Sequence, residues 1–113
     1  MSTIFTKIIN KEIPADIVYE DDELLAFNDI APQAPVHILI VPKKEIETLN
    51  NLKIEDSLIV GKMLLLAKDL AKKYKIDQTG YRTVFNCNED GGQTVFHIHL
   101  HLLGGRQLSW PPG

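Results

Sequence analysis

The feature that most constrains the fold is an alternating stretch near the C-terminus, FHIHLHLLGG at residues 96–105. Three of the four histidines in the chain, His97, His99 and His101, occupy every second position there. Because alternate side chains of a β-strand point to one face, residues 94–103 are predicted to form a strand with an imidazole face. The opposite, apolar face must be buried. It comprises Phe96, Ile98, Leu100 and Leu102.

Residues 55–74 have the periodicity of one long amphipathic helix, since their apolar side chains recur at helical spacing. The apolar stripe consists of Ile59, Met63, Leu66, Leu70 and Tyr74. Three further leucines, Leu58, Leu64 and Leu65, make the apolar surface wider than one small sheet requires. Either a second protein surface, such as a dimer partner, or a large buried core would explain this surplus.

The remaining segments are short. Apolar residues at helical spacing after Thr3, a plausible N-cap, predict a short N-terminal helix. Residues 13–21, 24–30, 36–42 and 80–88 read as strands, and two prolines stiffen the loop at residues 31–35. The strands show no β-α alternation, so we expect an α+β fold with an antiparallel sheet. A chain of 113 residues predicts a single domain, 1–113.

Composition narrows the function classes. The net charge of −3 argues against a nucleic-acid-binding surface, because phosphate backbones are bound by clustered Lys and Arg. The chain contains no apolar run of the roughly 18 residues that a membrane span needs, and its start lacks the apolar core of a signal peptide. Cys87 is the only cysteine, so no intramolecular disulfide can form. We therefore expect a soluble, cytoplasmic protein that binds neither nucleic acid nor membrane.

Three interpretations of the histidine strand compete. Two alternate histidines could share a zinc ion, but three of them on a straight strand span about 13 Å, which is too far for one ion. Three polar residues on an open sheet face would be the structural alternative. A catalytic site is the third, because imidazole is a competent nucleophile near neutral pH. His99, flanked by a histidine on each side, is then the geometric candidate for the nucleophile.

The segment EDGGQT, residues 89–94, precedes the histidine strand. Two adjacent glycines allow backbone N–H groups to approach a ligand closely, and such groups are good donors to phosphate. An ordinary turn would explain the glycines equally well. Beside an imidazole face, however, the segment suggests a phosphate held against a nucleophile.

The stretch HIHLHLLGG fits the histidine-triad pattern, in which three histidines alternate with apolar residues. Segments at the front of the chain and the closing NEDGGQTVFHIHLHLLGGRQLSWPPG extend the match over nearly the whole length. The chain resembles the histidine triad nucleotide-binding proteins, the branch that ends in Trp-Pro-Pro-Gly. This resemblance implies a five-stranded antiparallel sheet that continues across a homodimer, with the tail at residues 104–113 near the partner's active site.

The resemblance also implies purine nucleotide binding and hydrolysis of adenosine 5′-monophosphoramidates, including AMP–lysine conjugates, without a metal or cofactor. His99 matches the nucleophile, and His101 matches the residue that contacts the phosphate and helps to protonate the leaving amine. His97 and His37 match supporting histidines. The substrate-binding positions of the family correspond to Ile4, Phe5, Ile8, Phe27, Asp29, Ile30, Asn86, Gly92, Gln93, Thr94 and Trp110.

Without the resemblance, several of these residues have simpler interpretations. Asp29 would be a turn residue, Phe5 and Phe27 would be core, and Trp110 would be an exposed aromatic. The chain also departs from the family at Thr94, where members carry Ser, and at Glu45, where members can carry His. Thr94 keeps the hydroxyl and adds a methyl group, whereas Glu45 removes a possible proton relay. A nucleotide-binding or scaffold protein with incidental hydrolase activity is the competing functional class.

Overall fold

A five-stranded antiparallel sheet with one helix on each face forms the framework of the protein. The computed structural model describes residues 2–113. The strands lie in the order β1-β2-β3-β5-β4, so β1 and β4 form the edges. The strands are β1 (Ile17–Glu20), β2 (Leu24–Asn28), β3 (Val36–Pro42), β4 (Tyr81–Val84) and β5 (Leu100–Gly104), and the helices are α1 (Ile4–Ile9) and α2 (Ser57–Lys73).

The two faces of the sheet bury separate apolar clusters. Alternate residues of the central strands, among them Ile38, Ile40 and Leu100, pack against α2, whose buried residues include Met63. The intervening residues, Leu25, Phe27, Leu39 and Val41, pack against Phe5 and Ile8 of α1. Burial of both faces explains why β2 and β3 read as continuous apolar runs rather than alternating ones. The short helix α1 therefore closes the same face of the sheet that carries His101.

The short helix α1 begins where the sequence predicts. The Thr3 side chain accepts a hydrogen bond from the Thr6 backbone N–H at 3.3 Å, so Thr3 is the N-cap. Thr6 also donates its hydroxyl to Glu45 Oε1 at 2.9 Å, which ties α1 to the segment after β3. Glu45, one of the two residues at which the chain departs from the family it resembles, therefore contacts the helix that carries Phe5.

The long helix α2 spans Ser57–Lys73, within two residues of the prediction at its N-terminal end, and a 3₁₀ turn at Ile54–Asp56 precedes it. Leu58, Leu64 and Leu65 lie outside the core and are 69%, 46% and 57% exposed. A large core in one chain therefore does not account for the surplus leucines. Within residues 2–113, no helix combines the length and apolarity that a bilayer crossing requires.

The histidine strand is shorter than predicted, because β5 begins only at Leu100. His97 and His99 precede the strand, and Phe96 is 42% exposed rather than part of the buried face. The ladder with β3 runs only from the Val36–Gly104 pair to the Ile40–Leu100 pair. Beyond it the chain diverges, because the Ile98 N–H bonds to the Ile46 carbonyl at 2.8 Å instead of to a strand.

Candidate active site

A cavity of about 360 Å³ opens between α1, the ends of β2 and β3, and the approach to β5. It contains nine of the residues predicted for the site: Ile4, Phe5, Ile8, Phe27, Asp29, Ile30, Thr94, His99 and His101. In the sheet, Leu39 of β3 lies opposite both Phe27 and His101, so these three residues stand abreast on three adjacent strands. The sheet register therefore brings an apolar wall and an imidazole to one opening.

His99 lies against this apolar wall with one ring nitrogen fixed. Its Nδ1 is 2.8 Å from the His97 carbonyl oxygen, which can only accept, so Nδ1 carries the proton. In the neutral ring, Nε2 is then the nitrogen with the lone pair. The Phe5 ring meets His99 edge to face at a centroid distance of 4.9 Å, and Phe5 also packs against Phe27 at 5.5 Å. This packing holds the imidazole of His99 in place.

His97 is oriented in a similar way. Its Nε2 lies 2.7 Å from the carbonyl oxygen of Pro42, the last residue of β3, and therefore donates to it. The ring is 1% exposed and lies 6.3 Å from the Phe5 ring. His97 thus links the end of β3 to the backbone that holds His99. It supports the site from beneath, since it does not line the cavity.

His37 and His101 form a second hydrogen-bonded arrangement. The Gln33 backbone N–H donates to His37 Nδ1 at 3.0 Å, so the proton of neutral His37 lies on Nε2. That nitrogen is 2.9 Å from His101 Nδ1 and 3.4 Å from Asp29 Oδ2. His101 Nδ1 therefore accepts, and the proton of neutral His101 lies on its own Nε2. His101 thereby offers a ring N–H to the cavity, where His99 offers a lone pair.

Burial lowers the pKa of all four histidines below the usual 6.5. The effect is largest for His101, whose pKa falls to about 4 because burial and the neighbouring rings of His99 and His37 all disfavour a positive charge. The Asp29 carboxylate acts in the opposite direction on His37, His99 and His101. At neutral pH the site therefore contains uncharged imidazoles.

A second opening of about 730 Å³ lies on the other side of His101. His37, Asn86 and Trp110 line it together with His101, which thus borders both openings, whereas His97, Gly92 and Gln93 line neither. Trp110 is 81% exposed, and the Arg82 guanidinium lies 6.0 Å from the centre of its ring. A ligand that reached from the apolar cavity into this groove would pass His101.

The glycine segment contributes fewer donors than predicted. The Gly92 N–H bonds to the Glu89 carbonyl, and the Gln93 N–H bonds to the Asn88 carbonyl. The buried Gln93 side chain accepts from the Asn88 N–H and donates to the carbonyls of Glu47 and Val95. Gly92 and Gln93 therefore shape the loop. Thr94, at the rim of the cavity, makes no hydrogen bond within residues 2–113, so its N–H and hydroxyl remain for a ligand.

The chain matches the HIT domain family over residues 10–108, which include all four histidines. The chain belongs to the HIT family.

Its relatives agree with this assignment. An uncharacterized HIT-like protein of Synechococcus elongatus is 58% identical over 111 residues, which are 98% of this chain and 96% of the relative. A HIT family hydrolase from Legionella pneumophila superposes with a TM-score of 0.98 at 54% identity, over 99% of this chain and 100% of the other. A histidine triad nucleotide-binding protein from Candida albicans gives 0.83 at 33% identity, over 97% and 83%.

Three ligand atoms of this HIT chain lie close enough to be tested as a metal site. One atom each from Asp29, His37 and His101 falls within 4.8 Å of the others. Two of the three, the ring nitrogens of His37 and His101, already bond to each other at 2.9 Å. A metal ion would have to displace that hydrogen bond. The donor set could hold zinc, and removal of metal by a chelator therefore belongs in any activity assay.

Sequence reasoning missed several residues of this site. Ile13, Pro14 and Ala15, which follow α1, complete the apolar wall together with Leu39. The alternation of His37, Leu39 and Val41 along β3 could have identified Leu39, because alternate residues of a strand share a face. The backbone N–H of Gln33 carries no sequence signal at all. Its part in the site depends on the path of the loop before β3.

Proposed function

We propose that the protein is a purine nucleotide-binding hydrolase of the histidine triad nucleotide-binding branch. It cleaves the P–N bond of adenosine 5′-monophosphoramidates, including AMP–lysine conjugates, through a covalent nucleotidyl-histidine. The hydrogen bond from His99 Nδ1 to the His97 carbonyl carries this proposal, because it leaves Nε2 as an unprotonated nucleophile beside an apolar cavity. The likeness to a HIT family hydrolase and to a histidine triad nucleotide-binding protein supports it.

The cavity suits a nucleoside. Phe5, Phe27 and Ile8 offer an apolar surface for a purine ring, and Ile4 and Ile30 extend it at the opening. The Asp29 carboxylate, which already accepts from the Ala31 N–H at 2.9 Å, has further lone pairs for the ribose hydroxyls. Thr94 lines the same cavity as His99, so its N–H and hydroxyl are available to a 5′-phosphoryl group bound there.

In the first step, His99 Nε2 attacks phosphorus and the P–N bond to the amine breaks. The departing nitrogen takes up a proton from solvent, and the His101 Nε2–H helps this protonation by donating a hydrogen bond to the leaving group. His101 stays neutral, consistent with its depressed pKa and with the hydrogen bond that its Nδ1 accepts from His37. The adduct keeps its Nδ1–H on the His97 carbonyl, which stabilises the positive charge on the phosphorylated ring.

In the second step, water attacks the same phosphorus atom and releases one proton to solvent. The bond between phosphorus and His99 Nε2 breaks, AMP leaves, and His99 returns to its neutral form. The proton taken up in the first step is thereby returned, and His101 stays neutral throughout. The adduct is labile because imidazole is a much better leaving group than an alkylamine. No atom of the cycle requires a metal.

The proposal includes the oligomeric state and the location that the sequence predicts. We propose a cytoplasmic homodimer in which the sheet continues from one chain to the next. β4 is an edge strand in the single chain, so its outer backbone groups have room for a partner strand. The exposed Leu58 and Leu64 of α2 offer further apolar surface for a partner chain, whereas Leu65 lines a groove beside β1, at the other edge of the sheet. The tail with Trp110 would then reach the neighbouring active site and contact leaving groups there.

The decisive experiment is turnover of adenosine 5′-phosphoramidate by purified protein in excess chelator, followed as AMP release. His99→Ala is the matched variant, and intact-protein mass spectrometry of quenched mixtures detects the nucleotidyl adduct. We expect many turnovers and an adduct for the wild type, and neither for His99→Ala.

Other outcomes point to the alternatives. A folded wild type that binds AMP without turnover would contradict the enzyme and favour a nucleotide-binding scaffold. Activity that appears only after zinc is added would favour a metal hydrolase built on Asp29, His37 and His101. Full activity in His99→Ala would contradict the covalent mechanism, while the assignment of hydrolase activity would stand.

A further inference from the structure

The His37–His101 pair depends on a loop that another part of the chain holds in place. The Gln33 N–H on His37 Nδ1 belongs to the segment at residues 29–35, most of which is exposed. Arg106, just after β5, donates from Nε to the Gln33 carbonyl at 2.9 Å. Its neighbour Gly105 packs so closely on the same loop that a Cβ there would lie 2.9 Å from Pro35 Cβ. Residues 105–106 therefore clamp the loop.

We propose that Arg106 is a positioning residue for the His37–His101 pair. By holding the Gln33 carbonyl, it keeps the Gln33 N–H on His37 Nδ1, and this bond fixes the ring protons of both histidines. The role of these protons in turnover rests on the proposed function, whereas their location is a property of the folded chain. Neither histidine touches Arg106 directly, so Arg106 acts through Gln33.

The proton positions follow one another in a chain. While Gln33 donates to His37 Nδ1, His37 must donate from Nε2 to His101 Nδ1, and His101 keeps its proton on Nε2. If the Gln33 N–H moves away, His37 Nδ1 can carry the proton instead. His37 Nε2 then becomes an acceptor toward His101 Nδ1, so that the proton of His101 shifts away from Nε2. In that arrangement His101 Nε2 has no N–H to donate to a leaving amine.

The guanidinium of Arg106 is suited to this role. While Nε donates to the Gln33 carbonyl, one terminal nitrogen donates to the Gln107 carbonyl at 3.0 Å, so the fork is fixed in two directions. A lysine ammonium could make one of these bonds but would not be held by the other. Arg82 offers a matched control, because it lines the same groove and donates to a different carbonyl, that of Ser109, at 3.0 Å.

The test combines nitrogen NMR of the ring protons with kinetics of Arg106→Gln, Arg106→Lys and Arg82→Gln. We expect His37 of the wild type and of Arg82→Gln to be unprotonated at Nδ1. In Arg106→Gln, His37 should be a mixture of the two tautomers, and in Arg106→Lys the share of the second tautomer should be intermediate. With an alkylamine leaving group, kcat of Arg106→Gln should fall about fivefold, as for loss of one net hydrogen bond, while KM changes less than about twofold. An activated leaving group should show no loss.

A second pair of variants addresses the donor itself. Gln33→Pro removes the N–H, whereas Gln33→Ala keeps it and loses only the side chain. Gln33→Pro should shift the His37 tautomer as Arg106→Gln does, and Gln33→Ala should not. Wild-type His37 protonated at Nδ1, or tautomers unaffected by Arg106→Gln, would overturn the proposal. Absence of turnover in the wild type would instead contradict the proposed function, because the NMR measurement needs no substrate.

Discussion

The two halves of the histidine site are held in different ways. His99 is fixed by the carbonyl of His97, two residues away, and His97 in turn by the last residue of β3. His101 is fixed by His37, which lies 64 positions away, and His37 by a loop that Arg106 anchors. The nucleophilic nitrogen is thus set by a bond within its own segment, although the Pro42 carbonyl that holds His97 lies 55 positions away. The N–H of His101 is instead set directly by a bond to a distant segment. The two halves should therefore respond differently to substitution.

The largest expected effect is on the locally fixed half. His99→Ala should lower turnover of adenosine 5′-phosphoramidate by at least about 10³-fold, since no other ring nitrogen occupies its position. AMP binding should persist, because Phe5, Phe27 and Asp29 remain. The measurement is AMP release beside calorimetric binding of AMP. Retained turnover in His99→Ala would end the distinction between a nucleophilic half and an acidic half.

The second effect should depend on the leaving group. His101→Ala should slow an alkylamine phosphoramidate by about 10²-fold, the contribution of a positioned group that assists protonation of the leaving amine, and a p-nitroanilide by less than about tenfold. The weaker base needs less help from a proton as the bond breaks. Parallel rate measurements on the two substrates provide the comparison, and His99→Ala serves as the control, because its loss should be the same for both. Equal losses in His101→Ala would show that it contributes binding rather than acid catalysis.

The Phe5 side chain of the apolar wall should contribute to the stability of the fold as well as to the packing of His99. Phe5 is 6% exposed and contacts both Phe27 and His99 edge to face. Phe5→Ala should therefore lower the free energy of unfolding by about 3 kcal/mol, as is typical of large-to-small changes in a core. Phe5→Leu, which keeps most of the volume, should cost less. Urea denaturation of both variants measures this difference, and equal costs would show that α1 is not held by the Phe5 ring.

The same division explains how much the sequence predicts. Local patterns predict α1 with its cap, all of β3, and α2 within two residues at its start. The placing of Phe5, Ile8 and Phe27 at a cavity is expected from the family resemblance and not from these patterns. Local patterns fail where a long-range hydrogen bond decides the structure. β5 starts late because the Ile98 N–H bonds to the Ile46 carbonyl. The Gln93 side chain donates to the carbonyl of Glu47, 46 positions away, and is therefore occupied within the fold. The anchoring of His37 by Gln33 follows from a loop path that no periodicity encodes.

The smallest effect, a shift along the pH axis, separates the two halves without mutation. The pKa of His99 is lowered mainly by burial, and the neutral ring is the nucleophile, so kcat/KM should stay constant as the pH falls to 6.5 and decline only below it. The free energy of unfolding should decline over the same range. The unfolded chain binds protons at its histidines near pH 6.5, whereas the folded chain resists protonation, most strongly at His101, until about pH 4.

Phe5→Leu tests the cause of this shift. If burial by α1 depresses the pKa of His99, a looser wall should move the acid limb of kcat/KM toward pH 6.5. The pKa of His101 is depressed first by burial and then by the rings of His99 and His37, and it should change less because Phe5 makes no ring contact with His101. An NMR pH titration of the ring signals of His99 and His101, in the wild type and in Phe5→Leu, measures the two pKa values separately. Equal movement of both pKa values would mean that the halves titrate as one unit.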